Sequence, residues 1–189
     1  MIALLVAIVA STNAVTNYLN FHAEALAGLV NPTETYIILS GNFTALTDSQ
    51  IGMSITDKLV NISYVKHVLP QKIVTANLTT SSGSLKAQVR GVNDVNAFLL
   101  SRRAYINGTT AKNRTEANVG EILARTYSIS LGDVVDLAVG NRRLKVKMVG
   151  VFRSQTQSDI ELIVPMETAN ILAGDNDTIT FIEFAIKEG

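Results

Sequence analysis

A chain of 189 residues is long enough for one large domain, or two small ones, with a real core. Its 16 basic and 16 acidic side chains cancel and lie scattered, so no basic stripe argues for nucleic acid, and the absence of cysteine excludes disulfides and thiolate metal sites. Apolar residues reach 47% against 17% charged, and much of the excess falls in the first fifteen positions.

The run Ile2 to Ala10 is unbroken and apolar, and Val15, Leu19, Leu26 and Leu29 then hold helical spacing until Gly28 and Asn31-Pro32 signal a stop. This predicts a helix over residues 1–30 that starts greasy and becomes amphipathic. A bilayer crossing takes about 20 apolar residues, roughly twice the unbroken run. No Lys or Arg precedes the run, as one would in a signal peptide. The gradient favours the outer part of a transmembrane helix continuing as a stalk; a buried core helix is the alternative.

Tyr36 to Leu39 reads as a buried strand ending at Ser40-Gly41. Thr47 and Gln50 form a capping box, with Ile51, Ile55 and Leu59 at helical spacing behind it. Tyr64 to Pro70 is a short strand, and Lys72 to Val92 gives two extended runs around a Ser81-Ser82-Gly83 turn. Asn93 suits the cap of a short helix through Leu100. Tyr105 to Asn118 is polar and reads as an exposed loop, followed by helical turns over Val119 to Thr126. Val135, Leu137 and Val139 alternate, Gly140-Asn141 turns the chain, and Leu144, Val146 and Met148 alternate again, the clearest hairpin signal present. Ile160 to Val164 is a strand, Pro165 opens a helix that Gly174 closes, and Thr178 to Lys187 is a last strand. The order predicts an α+β fold in which a split β-α-β subdomain, 31–90 and 155–189, carries a small β-rich subdomain inserted at 91–154.

Six asparagines stand in Asn-x-Ser/Thr: Asn42, Asn61, Asn77, Asn107, Asn113 and Asn176. They are candidate glycosylation sites on a surface outside the cytoplasm, and with no cysteine they suit an archaeal protein. A surface merely rich in Thr and Asn by composition is the alternative.

No arrangement of catalytic groups emerges. His22 and His67 lack acidic or Cys neighbours and read as surface histidines. Asp175-Asn176-Asp177 hints at calcium but lacks the glycine and distal glutamate of a calcium loop. Arg102-Arg103 and Arg142-Arg143 read as a solvated face, with contact to a partner or to anionic headgroups as the sharper alternative. Nucleophile elbow, phosphate loop and dinucleotide fingerprint are all missing. The expectation is a chain that is not an enzyme and binds no cofactor or metal.

Eight short motifs in order carry a resemblance. They are Tyr36 to Gly41, Leu46-Thr47-Asp48, Ile62 to Pro70, Val89-Arg90-Gly91-Val92, Asn118 to Ala124, Leu131 to Val135, Lys147 to Phe152, and Ile163 to Met166 with its helix through Leu172. In these the chain resembles the MacB-like periplasmic core domain of FtsX-like ABC-transporter permeases. The resemblance implies a membrane protein whose extracytoplasmic domain lies between its first two transmembrane helices, a homodimeric permease, and a cytoplasmic ABC ATPase as partner. It further implies that the domain relays helix motion to a substrate or an outer partner during export or release. The chain stops at Gly189, so a fragment or truncated relative is expected. A membrane-tethered or secreted glycosylated binding module with no ATPase partner is the alternative, and a hydrolase with an unrecognised site is a third.

Overall fold

The computed structural model describes residues 35–41, 48–80 and 83–187. The expected helix at 1–30, with His22, lies outside these residues, as do Asn42 and Thr47. Among the described residues no helix is long and apolar enough to cross a membrane.

Among the described residues there are eleven strands and four α-helices. The strands are β1 (Thr35–Ile38), β2 (Ile51–Gly52), β3 (Val65–Thr80), β4 (Gly83–Val92), β5 (Tyr105–Gly108), β6 (Glu116–Gly120), β7 (Val134–Val139), β8 (Arg142–Arg153), β9 (Glu161–Pro165), β10 (Thr178–Ile179) and β11 (Phe181–Ile186). The helices are α1 (Ser54–Val60), α2 (Val95–Ser101), α3 (Glu121–Thr126) and α4 (Met166–Ala173), and a 3₁₀ turn spans Gln157–Ile160.

Six of the strands close a ring. Pairing runs from β3 to β4, β9, β6, β8 and β7, and β7 returns to β3. Closure leaves these strands no free edge within the ring. The two longest strands change partners along one side to make this possible. β3 pairs with β11 through Gln71 and with β7 only from Asn77, while β8 pairs with β7 up to Lys147 and with β5 from Gly150. In the gap on β3, the Thr180 hydroxyl accepts from the Ile73 amide at 2.8 Å, standing in for a neighbouring strand. Pro70 sits just before β4 begins to pair, on a stretch with a neighbour on one side only, where its missing N–H costs nothing.

Alternation sorts the side chains of the ring. Leu78, Leu137, Met148 and Leu162 point into one core with no exposure, joined by Ala76, Val89, Ala117, Val119 and Val146. Each large one contributes about 1.5–3 kcal/mol relative to an exposed position. Ala169 and Leu172 of α4 and Leu123 and Ala124 of α3 complete this core. α4 comes close enough to β4 that a Cβ on Gly91 would overlap Ala169. A second cluster, of Val92, Phe98, Leu99, Phe152 and Ile163, packs α2 against the opposite face of the wall. The ring draws β3, β4 and β9 from 31–90 and 155–189, and β6, β7 and β8 from 91–154, so both expected segments share one core.

Several local expectations change. Ile51 lies in β2, paired with Ile179, and α1 begins at Ser54 after a Met53 that makes no side-chain cap. The cap of α2 is Asp94, whose carboxylate accepts from the Ala97 amide, not Asn93. The stretch 105–118 is not a loop throughout: β5 and the start of β6 bound it, and polar residues hid a short strand whose partner is distant in sequence. Pro165 ends β9 and caps α4 instead of opening its first turn. Gly174 ends α4 in the left-handed conformation, φ +69°, as its position foretells. The last strand is broken at Thr180 into β10 and β11.

Candidate functional site

The most concentrated chemistry is a buried ladder of charge on the outer wall of the ring. Glu183 of β11, Gln71 of β3, Arg90 of β4 and Glu161 of β9 stand on adjacent strands, and all are buried. Neighbouring members are offset by two residues from direct pairing: Gln71 faces Phe181, Arg90 faces Ile73, and Glu161 faces Gln88. Each step therefore runs diagonally, a distance long polar side chains can bridge.

Arg90 donates to both carboxylate oxygens of Glu161, at 2.6 Å and 2.7 Å, and with its remaining nitrogen to the Gln71 carbonyl. Gln71 passes the chain on, donating to Glu183 at 2.9 Å. Arg102, just beyond the end of α2, grips both Glu183 oxygens. The Thr35 hydroxyl of β1 adds a bond of 3.3 Å to the same carboxylate. Two cations and two anions are thus matched in bidentate geometry, the form in which buried charges are tolerated. Phe98 lies between the guanidinium groups, its ring centre 5.8 Å from Arg90 and 4.8 Å from Arg102, and Phe181 lies 5.6 Å from Arg90. Burial pushes the Glu183 carboxyl up, but the bonds and charge of Arg102, with Gln71 and Thr35, outweigh it and hold it below its ordinary value.

Arg102 thereby corrects the expectation of a solvated arginine pair. It is buried because the end of α2 lies against the ladder, whereas Arg103 is exposed. Arg142 is also engaged: its guanidinium donates to the Leu172 carbonyl at 2.9 Å, satisfying a terminal group of α4 from the β7–β8 turn. The signal for the ladder was available: a lone Glu inside Phe181-Ile-Glu-Phe-Ala-Ile and a lone Arg inside Val89-Arg-Gly-Val break otherwise apolar strands.

A second buried charge lies on the α4 side. Lys72 donates to Asn170 at 2.9 Å and to the backbone carbonyl and carboxylate of Asp175. Burial lowers the Lys72 ammonium and Asp175 pushes it back up. Bonds from the Thr178 hydroxyl and the Asp177 amide lead the causes that bring Asp175 down to about 2. Asp175 is thus spent on anchoring the loop after α4. No group of three metal-ligating residues exists among the described residues, and His67 is exposed on β3.

Two motif positions are explained by close approach. Asn118, fully buried, accepts from the Ala111 amide at 2.7 Å and donates to the Thr109 carbonyl at 2.8 Å. A Cβ on Gly150 would collide with both Asn118 and Thr109, so glycine there lets the loop lie over β8. A Cβ on Gly120 would strike the Asp159 backbone, and Asp159 in turn holds the 154–156 turn through Ser154 and Gln155.

The five described sequon asparagines, Asn61, Asn77, Asn107, Asn113 and Asn176, are all exposed. They are spread over α1's end, β3, β5 and two turns. They do not converge on one site.

Comparison with known proteins agrees with this architecture. No curated protein matches the chain in sequence. Among solved structures, the periplasmic region of MacB from Actinobacillus actinomycetemcomitans is similar at a TM-score of 0.66 and 18% identity, over 85% of this chain and 77% of that one. The extracellular domain of the noncanonic ABC-type transporter YknZ from Gram-positive bacteria is similar at a TM-score of 0.62 and 14% identity, over 82% and 84%. At such identities the likeness speaks for the fold. The sequence pattern of the MacB-like periplasmic core domain matches residues 2–189, nearly the whole chain. The chain therefore belongs to the MacB-like periplasmic core domain family.

Proposed function

We propose that this chain is the extracytoplasmic domain of an ABC-transporter permease, and that it carries motion from transmembrane helices outward as one rigid, non-catalytic body. The observation that supports this reading is the ladder. It crosses four neighbouring strands and binds β1 and α2 through the same Glu183 carboxylate. A body meant to relay displacement must not yield internally, and packed, fully satisfied interiors deform little. The energy comes from a cytoplasmic ABC ATPase bound to the rest of a permease dimer, and the output is export or release of a substrate. The solved YknZ domain, described as the extracellular domain of an ABC-type transporter, and the solved MacB domain, described as a periplasmic region, support the assignment.

The test uses the intact protein in native membranes. Purification under mild detergent is expected to bring down an ABC ATPase, and Arg90→Met is expected to reduce transport while ATP hydrolysis continues. Release of the protein from the membrane by alkaline extraction, with no ATPase attached, overturns the reading in favour of a binding module.

A further inference from the structure

All six sequons satisfy the same sequence rule, but the folded domain treats the five described ones differently. N-glycosylation requires the asparagine amide nitrogen to be accessible, with the hydroxyl two residues on poised beside the same side chain. At Asn61 the amide itself is occupied, donating to the Asp57 carbonyl at 2.8 Å at the end of α1. Asn77 lies in β3 with strands on both sides, and the hydroxyl of its Thr79 turns to Ser84. Asn107 lies in β5, and its Thr109 hydroxyl donates to the Val149 carbonyl. The hydroxyl belonging to Asn176, that of Thr178, is taken by Asp175.

Asn113 differs from all four. Its Oδ1 accepts from the Thr115 hydroxyl at 2.7 Å and from the Thr115 amide at 3.0 Å, so the sequon closes on itself as a bent turn. Both bonds fall on the oxygen, which leaves the Nδ2 hydrogens uncommitted on a residue that is exposed, as are Arg114 and Thr115. The turn is fixed in place from behind. The Arg114 carbonyl accepts from Thr168, the Thr115 carbonyl from the Lys147 amide at 2.7 Å, and the Asn113 carbonyl from the Glu116 amide. A tripeptide held open in this way can enter a transferase groove without unpairing a strand or uncapping a helix.

We propose that, of the five described sequons, Asn113 is the one at which the folded domain is glycosylated. The donor class is an oligosaccharide carried on a polyprenyl phosphate or diphosphate. The Nδ2 atom attacks the anomeric carbon, a C–N bond forms as the C–O bond to phosphate breaks, the lipid phosphate departs with the electron pair, and the Nδ2 proton passes to a base of the transferase. The proposal rests on the extracytoplasmic reading, because the transfer takes place outside the cytoplasm.

The experiment isolates the full-length protein from its own cells after treating them with a membrane-impermeant amine label, and maps modified peptides by mass spectrometry. The expected result is externally labelled protein with a glycan on Asn113, at higher occupancy than on Asn61, Asn77, Asn107 or Asn176. Thr115→Ser keeps the modification and Thr115→Val abolishes it, both in a protein that still folds because position 115 is exposed. Labelled protein with Asn113 bare, or less occupied than another described sequon, overturns the proposal and leaves the location standing. Protein that no external label reaches overturns both.

Discussion

The inside and the outside of the same β-wall are built on opposite principles. Inside the ring, Leu78, Leu137, Val146, Met148 and Leu162 fill space with apolar surface and need no partner in particular. Outside it, under α2, Glu161, Arg90, Gln71, Glu183 and Arg102 form a chain in which each member has one or two acceptable partners. Apolar packing supplies stability while tolerating the exchange of one hydrophobic residue for another at modest cost. A buried ion chain supplies little net stability over an apolar equivalent, but it penalises every arrangement in which a charge loses its partner. We read the ladder as the device that fixes how α2 and the β1–β11 edge attach to the ring.

The sharpest break of this contrast is Arg90→Met. It strands a fully buried Glu161 carboxylate and one end of Gln71, and is expected to cost about 3–5 kcal/mol, seen as a lower denaturant midpoint. Adding Glu161→Leu removes the stranded charge, and the double variant is expected to recover a large part of that loss; no recovery would mean the ladder is worth more than its charge balance. Leu137→Ala, inside the ring, is expected to cost about 2–5 kcal/mol, and no second apolar-to-apolar change outside the cavity should rescue it. Gly150→Ala is expected to cost about 1–3 kcal/mol by forcing the Asn118 and Thr109 contacts apart, with faster amide exchange confined to residues 109–118 as its signature.

The smallest effect concerns acid. Asp175, at about 2 in the folded protein against an ordinary 3.8, contributes stability that is complete above 3.8 and is lost as pH falls toward 2. Thr178→Val removes the leading cause of that depression, so it is expected to lower stability slightly at neutral pH, with the difference from the unmodified protein shrinking as pH falls from 3.8 toward 2. A stability difference between the two proteins that stays constant from neutral pH down to pH 2 would show that the Thr178 bond does not govern Asp175.

The same contrast governs how much the sequence discloses. The ring interior is legible because alternation is local: the β7–β8 hairpin follows from Val135, Leu137 and Val139 against Leu144, Val146 and Met148. The β3–β4 hairpin and the Gly174 stop of α4 are legible for the same reason. Closure of the ring is not, because β3 meets β7 across roughly sixty residues and β6 pairs with β9 across about forty. The ladder is less legible still. Gln71 to Glu183 spans 112 positions, so a lone charge in an apolar strand announces that a partner exists without saying which. Arg102 is not legible as buried because the pair Arg102-Arg103 looks like surface, and only the docking of α2 separates a buried member from an exposed one. The sequons mark their own positions, but which hydroxyl turns back on its asparagine depends on the fold.

On the function we propose, the ladder makes ring, α2 and β1–β11 edge a single body within a working transporter. The direct test is a distance distribution between spin labels at the exposed Lys66, on the part of β3 paired with β11, and the exposed Lys145, on β8 in the ring, in the assembled permease with and without ATP. The account predicts one narrow distribution unchanged by ATP, and a broader one in Arg90→Met. A distance that shifts with ATP in the unmodified protein would contradict it, because the domain would then be flexing where the ladder is said to hold it.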